Sequence, residues 1–205
     1  MNQIDEKTLR NALSQAPGAE ELATATEGLL ARAESEGLVE VAYATVDSPF
    51  GELMVAATDR GVVKLSLPNY DDDLALAEIA AKISPRVLEL PKRLDPVRRE
   101  LDAYFEGKLD RFETRVDWRL SHGFTDKVLH QIARIPYGKT LSYGEIASKA
   151  GNPRAFRAAG TACGANPVPL IVPCHRVVQS GGKPGNYGGG PEMKLELLKL
   201  EGALR

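Results

Sequence analysis

The sequence predicts an α+β protein: a small antiparallel sheet with helices in the first half, then a mostly helical second half carrying a helix-turn-helix and a reactive cysteine. Three observations lead there. Residues 39–67 are short apolar runs separated by tight turns, the spacing after them is helical, and the charge changes sign between the halves. Residues 1–118 hold 14 Lys+Arg against 23 Asp+Glu, a net of −9, whereas residues 119–205 hold 12 against 5, a net of +7; the 205-residue chain carries −2. A basic segment beside an acidic one is the footprint of a nucleic-acid-binding domain joined to a domain that does not bind. With 43% hydrophobic residues the chain has material for a true core.

Residues 1–38 form an acidic extension in which Leu9 and Leu13, then Leu22, Leu29 and Leu30, fall at helical spacing around Pro17-Gly18. Two short helices are expected, with no candidate chemistry. VEVAYATV (39–46), GELMVAAT (51–58) and GVVKLSL (61–67) read as three strands of a meander, turned at Asp47-Ser48-Pro49 and Asp59-Arg60-Gly61. Asp71, Asp72 and Asp73 place negative charge at the start of a helix over 74–83, and a short strand is expected at 87–90. A helix over 95–105 has Pro96 at its first position and Val97, Leu101 and Tyr104 on one face. These elements make a scaffold domain of residues 39–118. WRLSHG (118–123) marks the boundary to a third domain, 119–205.

That last domain opens with an amphipathic helix over 124–135 (Phe124, Val128, Leu129, Ile132), stopped by Pro136-Tyr137-Gly138. Ser142 with Glu145 three residues on is a capping box for a helix over 143–150. Asn152 as N-cap and Pro153 at the first helical position then open a second helix ending near Gly164, which completes a helix-turn-helix. Its sequence, PRAFRAAGTACG, sets Ala155, Ala158, Ala159, Gly160 and Ala162 beside only two long charges, Arg154 and Arg157. Such a bare helix serves close packing, or close approach to a nucleic-acid backbone.

The stretch NPVPLIVPCHRVV (166–178) is the chemical centre. Val168, Leu170, Ile171 and Val172 read as a buried strand between Pro167 and Pro173, and Cys174 sits where it ends. A thiol is nucleophilic as thiolate, and His175 with Arg176 supplies the imidazole and cation that lower its pKa from about 8.5. Cys163 and Cys174 form no CxxC pair and there are three histidines, so neither a disulfide framework nor a zinc site is indicated. No P-loop or GxGxxG occurs, so no cofactor is expected. No leader and no apolar run of 18 residues is present, so a soluble, cytoplasmic protein with no membrane association is expected.

PCHRV, preceded by NPVP and followed by GNYGGG (185–190), resembles the active site of the O6-alkylguanine-DNA alkyltransferases, or methylated-DNA-protein-cysteine methyltransferases. The resemblance covers roughly residues 40–204 and is densest over 124–202. It implies a DNA-repair enzyme that transfers an alkyl group once, irreversibly, from O6-alkylguanine to its own Cys174, with O4-alkylthymine a second candidate substrate. It implies that His175 is the base, acting through a bound water, with Glu201 as its partner. Tyr143, in LSYGEIA, would help rotate the nucleotide out of the duplex and support the leaving guanine, and Asn166 would brace the turn. The second helix would lie in the minor groove, with Arg157 as the finger that fills the stack and Arg154, Ala158 and Gly160 against the backbone. The backbone of Val177 and the loop residues Asn186, Tyr187, Gly188 and Gly189 would shape the base pocket. The partner implied is double-stranded DNA containing alkylated guanine, met by a monomer; the zinc ligands of some relatives have no counterpart. Three positions depart from the family pattern. Phe156 stands where a smaller residue is usual, so it either packs inward or widens the groove contact; Gly188 replaces a frequent serine; and Cys163 reads as structural. A cysteine hydrolase, a lesion binder without a nucleophile and a transcriptional helix-turn-helix protein fit these residues less well.

Overall fold

The computed structural model describes residues 18–204. The described residues divide into two compact units, with the boundary between Val39 and Glu40. In the first, α1 spans Ala19–Ser35, with the Glu21 carboxylate accepting from the Gly18 N–H and Arg32 paired to Glu36 one turn on. The helix expected around Leu9 and Leu13 lies outside the described residues.

In the second unit, β1 (Val41–Val46), β2 (Leu53–Thr58) and β3 (Gly61–Ser66) form the expected antiparallel meander. The chain then crosses through α2 (Asp72–Lys82) and returns as β4 (Val87–Glu89), which a helical crossover sets parallel to β1. The order is therefore β3-β2-β1-β4, a mixed sheet. Asp71 caps α2, its carboxylate accepting from Leu74 N–H at 3.1 Å. Ala75 and Ile79 of α2 then pack on Val41, Met54, Ala56 and Val63 of the sheet.

Helix α3 runs Pro91–Phe105, one turn longer than the sequence suggested. Pro91 takes the first position, and Pro96, expected there, lies inside the helix, where it forfeits one backbone donor. Leu94, Val97, Leu101 and Tyr104 form its buried stripe. That stripe matters for function because it delivers the Tyr104 hydroxyl to the far half of the unit.

The later elements are α4 (Gly123–Ile132), β5 (Leu141–Ser142), α5 (Tyr143–Lys149), α6 (Phe156–Gly164), β6 (Val177–Val178) and α7 (Gly190–Leu200). The capping box is formed: Ser142 Oγ accepts from Glu145 N–H at 3.2 Å, and Glu145 accepts from Ser142 N–H at 2.7 Å. Two expectations fail here. Helix α6 begins at Phe156, not Pro153; the Ala155 N–H bonds the Asn152 carbonyl at 3.0 Å, so Asn152-Pro153-Arg154-Ala155 is a turn. Pro153 suits the second place of such a turn as well as a helix start. The run 168–172 is likewise a turn and not a strand: Val172 N–H bonds Val168 carbonyl at 2.9 Å, and Leu170 sits at φ 71. Proline at 167, 169 and 173 removes the donors a ladder needs. The turn is anchored instead on β3, by Leu65 N–H to Pro167 carbonyl at 2.8 Å.

Candidate active site

Cys174 opens a single 3-10 turn, Cys174–Arg176, directly after this proline-rich turn. Asn166 holds the turn at both ends: its Nδ2 donates to Val172 carbonyl at 2.8 Å and its Oδ1 accepts from Val168 N–H at 3.1 Å. Asn166 thus ties the two ends of the turn together. Leu170, fully buried in a left-handed conformation, adds strain of order 1–3 kcal/mol that the surrounding packing must hold.

Cys174 is buried, 6% exposed as a residue. Burial pushes its pKa up, opposed by a hydrogen bond from Asn166 and by the charge of Lys194. This corrects the expectation that His175 and Arg176 depress it. Arg176 is turned away, its Nε and Nη2 on the Glu201 carboxylate at 2.9 Å each and its Nη1 on the Ile135 carbonyl at 2.6 Å. The cation that acts on Cys174 is Lys194, buried on α7, with Nζ donating to Val177 carbonyl at 2.6 Å.

His175 is fully buried, and its Nε2 lies 2.9 Å from Glu201 Oε1. Its Nδ1 is buried with no hydrogen-bond partner among the described residues. Burial lowers the His175 pKa against the pull of Glu201, so the imidazole is neutral near pH 7 and can accept a proton. Glu201 follows the last residue of α7 and is itself buried. Burial alone would raise its pKa, but the bonds from His175 and Arg176 prevail and hold it at about 2. Tyr104 completes the cluster, donating to Glu201 Oε1 at 2.7 Å, and the same hydroxyl lies 3.4 Å from His175 Nε2. A carboxylate at the negative end of a helix dipole is disfavoured; here an arginine, a tyrosine and a histidine compensate it.

Tyr143, at the first position of α5, is half-buried, and burial pushes its pKa up to about 12. It stays a phenol, a donor, at neutral pH. Its ring lies against Gly160 of α6, and its hydroxyl against Gly185. The glycines of the loop are functional in packing: a side chain at Gly189 would strike Met193, and one at Gly188 would sit 2.9 Å from the Tyr70 hydroxyl. Gly188, Tyr187, Asn166 and Cys174 line one small cavity. Val177 and Asn186 are placed differently, their carbonyls accepting from Lys194 at 2.6 and 3.5 Å.

On α6, Ala159 and Ala162 face the core, packing against α4 and α5, and Gly160 is half-buried. Phe156, Arg157, Ala158 and Thr161 face outward, with Arg154 exposed in the preceding turn. Phe156 is 50% exposed, so it does not pack inward; its ring carries the Arg157 guanidinium at 5.7 Å, a cation–π contact.

The sequence profile of the 6-O-methylguanine DNA methyltransferase DNA-binding domain matches residues 123–203, and that of the ribonuclease-like domain of the same proteins matches residues 41–118. A methylated-DNA–protein-cysteine methyltransferase of Mycolicibacterium paratuberculosis is 39% identical over 78% of this chain and 92% of its own length. One from Methanosarcina barkeri is 36% identical over 78% of this chain and 96% of its own. The chain belongs to the 6-O-methylguanine DNA methyltransferase family. A crystal structure of Mycobacterium tuberculosis OGT in complex with DNA superposes with a TM-score of 0.68 at 37% identity, covering 79% of this chain and 93% of that one.

Within this methyltransferase, sequence reasoning missed Tyr104, Arg176 as the clamp on Glu201, and Lys194. The signal for Lys194 was a lysine at an apolar-face position of α7, with Met193, Leu197 and Leu198 buried around it. Tyr104 carried the same kind of signal, a hydroxyl on the buried stripe of α3. No group of side chains among the described residues could hold a metal ion, and no helix among them is long and apolar enough to cross a membrane.

Proposed function

We propose that this protein repairs DNA by displacing the alkyl group of O6-alkylguanine onto Cys174, once per molecule. The observation that carries the reading is a fully buried His175 with Nε2 fixed on Glu201 and Nδ1 unbonded, next in the chain to the thiol. His175 Nδ1 takes the Sγ proton through a water as sulfur attacks the alkyl carbon. The S–C bond forms, the C–O6 bond breaks, and the electron pair leaves with guanine. Glu201 stabilises the imidazolium this creates, and the burial that raises the thiol pKa keeps the resting sulfur protonated at neutral pH. Tyr143, still a phenol, donates to the leaving base. The thioether has no route back to a thiol, which makes the reaction single-turnover.

The reacting carbon of a paired guanine is out of reach of a buried thiol, so the nucleotide must leave the stack. The exposed face of α6, with Arg157 supported by Phe156 and small Ala158 beside it, suits the narrow minor groove, and Arg157 fills the vacated place. Arg154, on the turn, pairs with phosphate. The protein works on double-stranded DNA as a monomer in the cytoplasm and uses no cofactor; O4-alkylthymine is a second substrate. The decisive variant is Cys174→Ser. It loses transfer from a methylated duplex while retaining duplex binding that weakens with salt. Undiminished transfer would overturn the assignment of the nucleophile.

A further inference from the structure

We infer that Tyr70, on the loop after β3, is the residue that sets the size of the group able to reach Cys174; the inference rests on the alkyl-transfer reading above. The cavity beside the thiol has a volume of about 30 Å³. That is room for about one water, so a base and its alkyl group enter only if a wall of the cavity moves, and the larger the group the further it must move. Most of its walls are fixed: Leu65 and Leu67 lie on the sheet side, Pro169 in the clamped turn, and half-buried Tyr187 sets its ring edge-on to His175 at 6.3 Å, its hydroxyl buried. Tyr70 differs, being 49% exposed and carried on a surface loop.

Two contacts draw this loop onto the active-site loop at a single residue. Asn69 Nδ2 donates to the Gly188 carbonyl at 2.7 Å, and the Tyr70 hydroxyl occupies the space beside Gly188 where a side chain would lie. The bond is exposed, and such a bond contributes only about 0.5–1.5 kcal/mol. Tyr70 is therefore a close steric cover that is weakly latched. A base carrying a methyl group displaces it a little, whereas one carrying a benzyl group must displace it further.

The test measures second-order rates for wild type, Tyr70→Ala and Asn69→Ala with free O6-methylguanine and free O6-benzylguanine, which need no base extrusion. Tyr70→Ala is expected to raise the benzyl-to-methyl rate ratio by at least about tenfold, the scale of discrimination available to an apolar wall. Asn69→Ala shifts it the same way by a smaller factor. The size dependence is measured in parallel with iodoacetamide and N-benzylmaleimide, scored as modification of Cys174 by peptide fragmentation because Cys163 lines the same cavity; the ratio for the bulkier reagent rises in both variants. A ratio that stays constant or falls in either pair overturns the assignment. If no alkylguanine reacts with any of the proteins, the transfer reading fails, and the thiol reagents alone still decide whether Tyr70 limits size. Thermal melting of the variants checks that the fold is kept.

Discussion

Replacing Glu201 by glutamine preserves shape and removes one charge from a buried cluster. In the native state that charge accepts from Arg176 twice, from Tyr104 and from His175, all at 2.7–2.9 Å. The Glu201 side chain is fully buried, so solvent screens it little. Folding holds its pKa at about 2 against an ordinary 4.5. At 1.36 kcal/mol per unit this depression corresponds to roughly 3 kcal/mol. Because the folded pKa is the lower one, that stability is fully present above pH 4.5 and is lost as pH falls towards and through 2. Glu201→Gln also strands the Arg176 guanidinium, and breaking a buried pair from one side costs about 3–5 kcal/mol. Urea unfolding at pH 7 should therefore show a loss on the order of 3 kcal/mol or more. Between pH 5 and pH 2 the wild type should lose stability through this group and the variant should lack that component. A variant within about 0.5 kcal/mol of wild type at pH 7, the range of an ordinary surface change, would refute the buried cluster.

Arg157→Ala should slow transfer from duplex DNA strongly while sparing free O6-benzylguanine, since only the duplex requires extrusion; equal losses on both would place Arg157 in the pocket or the fold. Arg154→Ala should weaken binding to all duplexes alike and flatten the log–log salt slope by about one unit or less, and an unchanged slope would remove the phosphate contact. Tyr104→Phe deletes a hydrogen bond to a buried charge and should lower stability by about 1.5–3 kcal/mol in urea unfolding at pH 7, a neutral result excluding the bond. Lys194→Met removes the cation acting on Cys174, so iodoacetamide alkylation at pH 8 should slow and its pH profile move to higher pH; an unmoved profile would show that Lys194 does not act on the thiol.

Local rules read well and distant partnerships did not. The Ser142–Glu145 capping box, the Asp71 cap and the meander follow from residues within a few positions of one another, and each forms as expected. The proline-rich turn misled because apolar content outweighed Pro169, whose missing donor already ruled out an inner strand. Arg154 was misplaced onto α6 for a related reason, as Asn-Pro opens a turn as readily as a helix. His175 with Glu201 was legible only through the family resemblance. Tyr104 and Arg176 escaped notice because their bonds to Glu201 span 97 and 25 residues, beyond any local pattern. Arg176 also carried a charge that suggested the wrong partner, since proximity in sequence to Cys174 is not proximity of the guanidinium. Phe156, left open between two orientations, is decided by α6 itself, whose inward positions are the alanines at 159 and 162.

The nucleophile is tested most directly by mixing the protein with excess duplex containing one O6-methylguanine, digesting with trypsin, and fragmenting the peptide spanning residues 158–176. That peptide carries both Cys163 and Cys174, so fragmentation is needed to tell them apart. Burial pushes the Cys163 pKa up to about 12, and no base adjoins it in the sequence. The account predicts a gain of one CH2 unit on Cys174, at one equivalent of repaired guanine per protein molecule. Methyl on Cys163, or guanine repaired in excess of the protein with Cys174 unmodified, would contradict it.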